Sequence, residues 1–253
     1  MAFRTKDRIP NVYEHWIAKD FFAYIRIAQG SDKRADFLSI MNKPKRYIGR
    51  DSLCEPRVAF DEWIRMYDEQ PWIAERIEQL WHDTRVLNTL SPYAAINFIR
   101  RGIGYDDYIA DYADYRNVNK DDLYDVADEI LSNAKGYRTL EEWYTHIENY
   151  KKELEELAKR GNSNEDAVVL ATLHSSKGLE FEKVFLIDVN EGITPYKKAV
   201  LQPDMEEERR LFYVGMTRAK RSLTLCSVKT LHNKKVELSR FLKEAGAESL
   251  PKE

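Results

Sequence analysis

The sequence predicts an α/β protein, a parallel-sheet domain interrupted by a large all-helical segment. Short, continuous apolar runs rich in β-branched residues occur at 167–173, 184–189 and 222–228, and suit central strands of a sheet covered on both faces. Helical segments near 204–219 and 237–245 complete an α/β texture in the last third of the chain. From residue 52 to Gly161 nearly everything reads as helix, and Gly161-Asn-Ser-Asn-Glu-Asp166 reads as a linker between the two textures.

The elements follow in order. Val12, Trp16, Phe21, Tyr24, Ile25 and Ala28 recur at helical spacing, so residues 12–28 predict a first helix. Gly30-Ser31-Asp32 ends it and caps a second helix carrying Phe37, Leu38 and Met41. Residues 43–51, with Pro44 and Gly49, read as a basic loop. Pro71 opens a helix with Ile73, Ile77, Leu80, Trp81 and Leu87 inward, and Ser91-Pro92 is an N-cap followed by proline at the first helical position. Tyr105, Tyr108, Tyr112 and Tyr115 form a stripe that, among so many acids, reads as packing rather than as a stack for bases. Thr139-Leu-Glu-Glu142 is a capping box opening a helix that runs to Gly161.

The 253 residues are enough for one large or two ordinary domains, and 43% hydrophobic with 33% charged residues describes a globular protein rich in exposed helix. No apolar run reaches membrane-span length, and the N-terminal residues carry no signal-peptide core. Two distant cysteines, Cys54 and Cys226, show no metal-ligand spacing, so no metal site is expected and a reduced, cytoplasmic protein is. The net charge of −3 argues against a purely electrostatic DNA binder. Its distribution says more: Lys33–Arg50 holds six bases against Asp36, and Gly104–Glu129 holds nine acids against Arg116 and Lys120.

The densest cluster of chemistry-bearing residues is Thr172-Leu-His-Ser-Ser-Lys-Gly-Leu-Glu-Phe181. Thr172, His174 and Lys177 stand where a strand runs out, and each can hydrogen-bond a phosphate or sugar oxygen. Gly178 lets a backbone approach closely, and Glu180 can accept from ribose hydroxyls. A second block is Glu206-Glu-Glu-Arg-Arg-Leu-Phe-Tyr-Val-Gly-Met-Thr-Arg-Ala219. There Asp204 is expected to cap a helix whose first turn holds Glu206, Glu207 and Glu208. Leu211, Val214 and Arg218 share a helical face, so the arginine needs a partner, either an internal carboxylate or an anion such as a phosphate.

These blocks carry a resemblance. Thr172–Phe181 looks like motif V, and Glu206–Lys220 like motif VI, of superfamily-one DNA helicases of the UvrD/Rep/PcrA type. Between them, Val184-Phe-Leu-Ile-Asp-Val-Asn-Glu-Gly-Ile-Thr-Pro195 resembles the family's strand and its acidic Glu-Gly-x-x-Pro loop. Upstream, Ile17–Ile27 resembles the helix after motif IV, and Phe37–Gly49 the entry to the inserted subdomain. Residues 52–163 share only helical texture.

The resemblance implies a second RecA-like (P-loop NTPase-like) domain made of residues 1–30 and 165–253, with a helical subdomain, 31–164, inserted. It implies an ATP-dependent helicase moving 3′ to 5′, in which Thr172, His174 and Lys177 touch single-stranded DNA. Gly178 and Glu180 then meet ATP, and Arg218 reaches the γ-phosphate as the catalytic arginine. The family's Gly-Ile-Gly element contacts duplex DNA; here it reads Tyr47-Ile48-Gly49, beside the basic positions Lys43, Lys45 and Arg46. The sequence contains no Gly-x-x-x-x-Gly-Lys-Ser/Thr loop and no Walker B-like acidic pair. The expectation is therefore a helicase part inactive alone, with ATP and Mg²⁺ held mainly by a first RecA-like domain. The rival readings are a stand-alone regulatory or interaction module with a helicase-derived fold, and part of a helicase-nuclease.

Overall fold

The computed structural model describes residues 3–7, 9–160, 167–231 and 234–246, so the linker read at 161–166 lies outside the described residues. By contact the chain divides into a mixed unit, Met1–Ile9 with Glu156–Glu253, and a helical unit, Pro10–Glu155.

The helical unit is built around α1 (Trp16–Ala28). Ile17, Ala18, Phe21, Ala23, Tyr24 and Ile25 are all fully buried, so this helix is apolar nearly all round and sits inside the core rather than at its edge. The expected division, which grouped residues 1–30 with the C-terminal strands, differs here: α1 packs with the helices. Around it lie α2 (Arg34–Ile40), α3 (Phe60–Arg65), α4 (Pro71–Leu87), α5 (Pro92–Asn97), α6 (Tyr105–Arg116), α7 (Lys120–Ala134) and α8 (Leu140–Arg160). Pro71 and Pro92 open α4 and α5, where a missing N–H costs nothing; Ser91 precedes α5 but its side chain makes no capping bond. The capping box forms: the Glu142 amide donates to Thr139 Oγ1 at 3.2 Å, and the Thr139 amide to Glu142 Oε2 at 3.4 Å. Tyr105 is buried, Tyr108 and Tyr112 pack on Trp16, and Tyr115 is exposed.

In the mixed unit β1 (Phe3–Thr5) pairs in parallel with β2 (Val168–Leu170), Phe3 opposite Val168. A parallel pair needs a crossover, and here the whole helical unit lies between its two strands in sequence. A second parallel pair joins β3 (Phe181–Leu186) to β4 (Ala219–Leu225), with α9 (Gln202–Met216) between them in sequence. A short antiparallel pair, β5 (Thr230–Leu231) with β6 (Lys234–Lys235), and α10 (Arg240–Glu244) follow.

Phe212 of α9 and Phe241 and Leu242 of α10 form a small core with Val189, against which Leu186, Leu225 and Met205 pack. Gly215 makes this approach close: a Cβ there would lie 2.5 Å from Leu173 Cδ2 and 3.3 Å from Leu186 Cδ2. Among the described residues β3 is not covered on both faces as expected. Phe185 and Ile187 are 64% and 68% exposed, because the helix described against this pair packs on the Leu186 side only. β3 and β4 begin and end three residues earlier than the apolar runs suggested, and β2 begins one residue later and ends three earlier.

Candidate nucleic-acid and nucleotide site

Beyond Leu170 the chain turns instead of continuing as a strand to Leu173. The Ser176 amide donates to the Thr172 carbonyl at 3.0 Å and the Leu179 amide to the Ser176 carbonyl at 3.0 Å, winding residues 172–179 into consecutive turns. Ser176, the buried member, donates its hydroxyl to the Leu173 carbonyl at 2.7 Å. Gly178 ends the winding at φ +81° with nothing within 4 Å of a would-be Cβ. Glycine is favoured there by the left-handed backbone.

The loop is tied down from outside. Asp7, two residues past β1, accepts from the Thr172 amide at 2.8 Å and the Ser175 hydroxyl at 2.6 Å. Thr172 Oγ1 in turn accepts from the Ser175 amide at 3.2 Å and lies 3.0 Å from Ser175 Oγ. The Ser175 hydroxyl, then the Thr172 amide, hold the Asp7 carboxyl below its ordinary pKa. Sequence reasoning missed Asp7. It lies 165 residues from Thr172, and only the β1–β2 pairing brings the two together. Thr172, His174 and Lys177 are all exposed, but Thr172 is engaged in this network, whereas the His174 imidazole and the Lys177 ammonium stand outside it.

Glu180 and Arg218 lie at the paired starts of two strands. They stand just before the N-terminal starts of β3 and β4, whereas Thr172–Gly178 follow the carboxyl end of β2. The Phe181 amide donates to the Arg218 carbonyl at 2.9 Å, so strand pairing fixes the arginine beside the Leu179–Glu180 backbone. Arg218 lies in the turn after α9 rather than on its face with Leu211. Of the two expected partners, the internal carboxylate is not what holds it among the described residues. Its Nε donates to the Val214 carbonyl at 2.8 Å, Nη1 to the Leu179 carbonyl at 3.0 Å and Nη2 to Thr217 Oγ1 at 3.0 Å. Among the described residues no carboxylate pairs with it. A guanidinium has five N–H donors. Here its position is set by carbonyls while its charge remains uncompensated. Glu180 is exposed and lies 3.3 Å from Lys220 Nζ.

Asp204 does not cap α9, which starts at Gln202 after Leu201 with Pro203 in its first turn. The acids that follow are held in ion pairs. Glu206 meets Arg209 at 2.6 Å, Glu207 meets Arg210 at 2.5 Å, and Arg209 reaches Glu244 of α10 at 2.7 Å. Glu208 accepts from the Tyr196 amide at 2.9 Å.

In the helical unit the three basic positions separate. Arg46 is buried, its guanidinium donating to the carbonyls of Ile40, Met41 and Pro44 and to the Tyr24 hydroxyl, so it braces its own loop. Lys43 is paired with buried Asp20 at 2.7 Å and 2.8 Å. Burial raises the Asp20 pKa despite this ammonium and the Tyr105 hydroxyl. Both arrangements have one cause: charged groups beside a core helix find polar partners locally. Lys45 is exposed.

The chain belongs to the UvrD-like helicase C-terminal domain family, whose profile matches residues 11–230. Among curated proteins it is similar to the ATP-dependent DNA helicase Rep of Escherichia coli (strain K12), 30% identical over 264 residues that cover 92% of this chain and 38% of that protein. It is also similar to the ATP-dependent DNA helicase PcrA of Bacillus subtilis (strain 168), 29% identical over 243 residues covering 86% of this chain and 32% of that protein. DNA helicase II of Haemophilus influenzae is 28% identical over 235 residues, 84% of this chain and 32% of its own length. The chain thus spans well under half the length of these relatives. Among the described residues no helix is long and apolar enough to cross a membrane.

Proposed function

We propose that this chain is the second RecA-like domain, with its inserted helical subdomain, of a cytoplasmic ATP-dependent DNA helicase that moves 3′ to 5′ on single strands. The insertion topology is supported by β1 pairing with β2 from opposite sides of the helical unit, with boundaries by contact after Ile9 and Glu155. His174 and Lys177 face the strand, on a loop that Thr172 and Asp7 hold in shape. Glu180 accepts from nucleotide hydroxyls, and Gly178 provides the turn between the two sets of contacts.

The observation that carries the reading is Arg218. Its guanidinium is oriented by two backbone carbonyls and a hydroxyl, and no carboxylate among the described residues neutralises it. That arrangement fits an arginine kept for an anion that arrives with a ligand. Bound ATP with Mg²⁺ supplies the bond that is hydrolysed. The part played by Arg218 is to stabilise negative charge developing on the transferred phosphoryl group. The rest of the nucleotide-binding surface belongs to a first RecA-like domain, because no phosphate-cradling loop occurs in this sequence.

The test is Arg218→Ala in the full-length enzyme. Turnover is expected to fall about 10³-fold, as for other arginines aimed at a γ-phosphate, while affinity for single-stranded DNA stays within about twofold. Unchanged turnover overturns the assignment. The purified 253-residue chain is expected to show no DNA-stimulated ATP hydrolysis.

A further inference from the structure

Tyr47 stands where the resembling family carries glycine, and it keeps a glycine-like backbone, with φ +59°. A bulky residue in the left-handed region is strained and persists only where its surroundings over-determine it, which is commonest at ligand sites. The surroundings here do so on both sides of the residue. Asn42 Oδ1 accepts from the Arg46 amide at 3.2 Å and the Ile48 amide at 3.0 Å, and Asn42 Nδ2 donates to the Ile48 carbonyl at 2.8 Å. The Arg46 carbonyl accepts from Arg76 Nη1 at 3.0 Å, and the Gly49 amide donates to the Tyr67 hydroxyl at 3.2 Å.

This bracing presents the Tyr47 ring outward at 57% exposure, 6.3 Å from the ring of Trp72, itself 49% exposed. Arg76, one turn along α4 from Trp72, lies 5.1 Å from the Tyr47 ring and 5.0 Å from the Trp72 ring. Lys45 Nζ lies 4.5 Å from the Tyr47 ring. Two exposed aromatic rings, with a guanidinium packed over both and an ammonium over one, match what unpaired nucleobases need: ring surface left for stacking and cations for the phosphates. A duplex hides its base faces and would use only the cations.

We propose that Tyr47, Trp72, Arg76 and Lys45 form a stacking platform on the helical unit for unpaired bases of single-stranded DNA. The proposal rests on the reading that the protein acts on DNA, and it is independent of Thr172, His174 and Arg218.

The test uses the 253-residue chain, titrated with an oligothymidylate of about 20 nucleotides, long enough to fill a single-strand site, and with a blunt duplex. Of the tryptophans, Trp63 and Trp143 are buried, leaving Trp72 and the 39%-exposed Trp81 as the more exposed fluorophores. The single strand should quench tryptophan emission. Trp72→Phe should abolish most of that quench while keeping affinity within about twofold, since phenylalanine still stacks. Trp72→Ala and Tyr47→Gly should each weaken single-strand binding about tenfold, the loss of one stacked base, with thermal unfolding unchanged.

The platform is overturned if both variants bind as the parent does, if the duplex binds more tightly than the single strand, or if the parent binds no DNA. Weakening by His174→Ala alone would leave the DNA reading standing and remove the platform. A change in sedimentation on Trp72→Ala with DNA affinity intact would make the cluster a protein contact and also remove it. The wider functional reading is tested separately, by the turnover of Arg218→Ala.

Discussion

Asp7 holds the Thr172–Gly178 loop through two hydrogen bonds from the other end of the chain, and this sets a pH dependence. Its carboxyl pKa is lowered in the folded protein, chiefly by the Ser175 hydroxyl and then by the Thr172 amide, from an ordinary value of 3.8. The folded state therefore binds fewer protons than the unfolded one in this range. The stabilisation is complete above the ordinary value and is lost as pH falls through the lower folded value. Asp7→Ala should remove it at every pH, seen as faster exchange of the Thr172 amide after correction for intrinsic rates. Unaltered protection would mean the turns hold themselves. The residue types at Thr172, His174 and Lys177 were legible from sequence, but their division of labour was not. Thr172 and Ser175 are tied to a carboxylate from the other end of the chain, whereas His174 and Lys177 are exposed outside that network.

Element by element, the helices were easier to read than the strands. Apolar spacing, Pro71, Pro92 and the Thr139–Glu142 capping box are local signals, and each marks a helix that forms. Strand ends were read about three residues late at β3 and β4, since an apolar run continues into the loop residues that pack beside the strands. Double-sided burial was inferred from composition alone, and the second face depends on what lies over it. Packing of α9 against β3 depends on Gly215, where a side chain would meet Leu173 and Leu186. Gly215→Val should destabilise the mixed unit by about 1–3 kcal/mol through overpacking, measured by urea unfolding. Equal stability would show that Leu173 yields without cost.

Over the whole molecule, the two units differ in how much they bury. The helical unit gathers its aromatic and aliphatic side chains around α1 in one extended core, while the core of the mixed unit comprises Val189, Phe212, Phe241 and Leu242 with a few half-buried neighbours. Stability follows buried apolar surface. The strands β3 and β4 should therefore lose amide protection at lower denaturant concentration than α1 and α7, giving two transitions in hydrogen exchange against urea. A single coincident transition would show that the units unfold together.

The sequence by itself determined the helicase family, the helical and strand-bearing textures, and the residue types of both motif-like blocks, because these depend on short-range pattern and on residues in fixed order. Tertiary structure decided which charges are available. Arg46 and Lys43 look equivalent to Lys45 in sequence, yet the first is satisfied by carbonyls and the second by Asp20. Arg218 lies near a run of glutamates in sequence and pairs with none of them. Whether a charge is spent on the fold or left for a ligand depends on partners distant in sequence, and only the folded chain brings those partners within hydrogen-bonding distance.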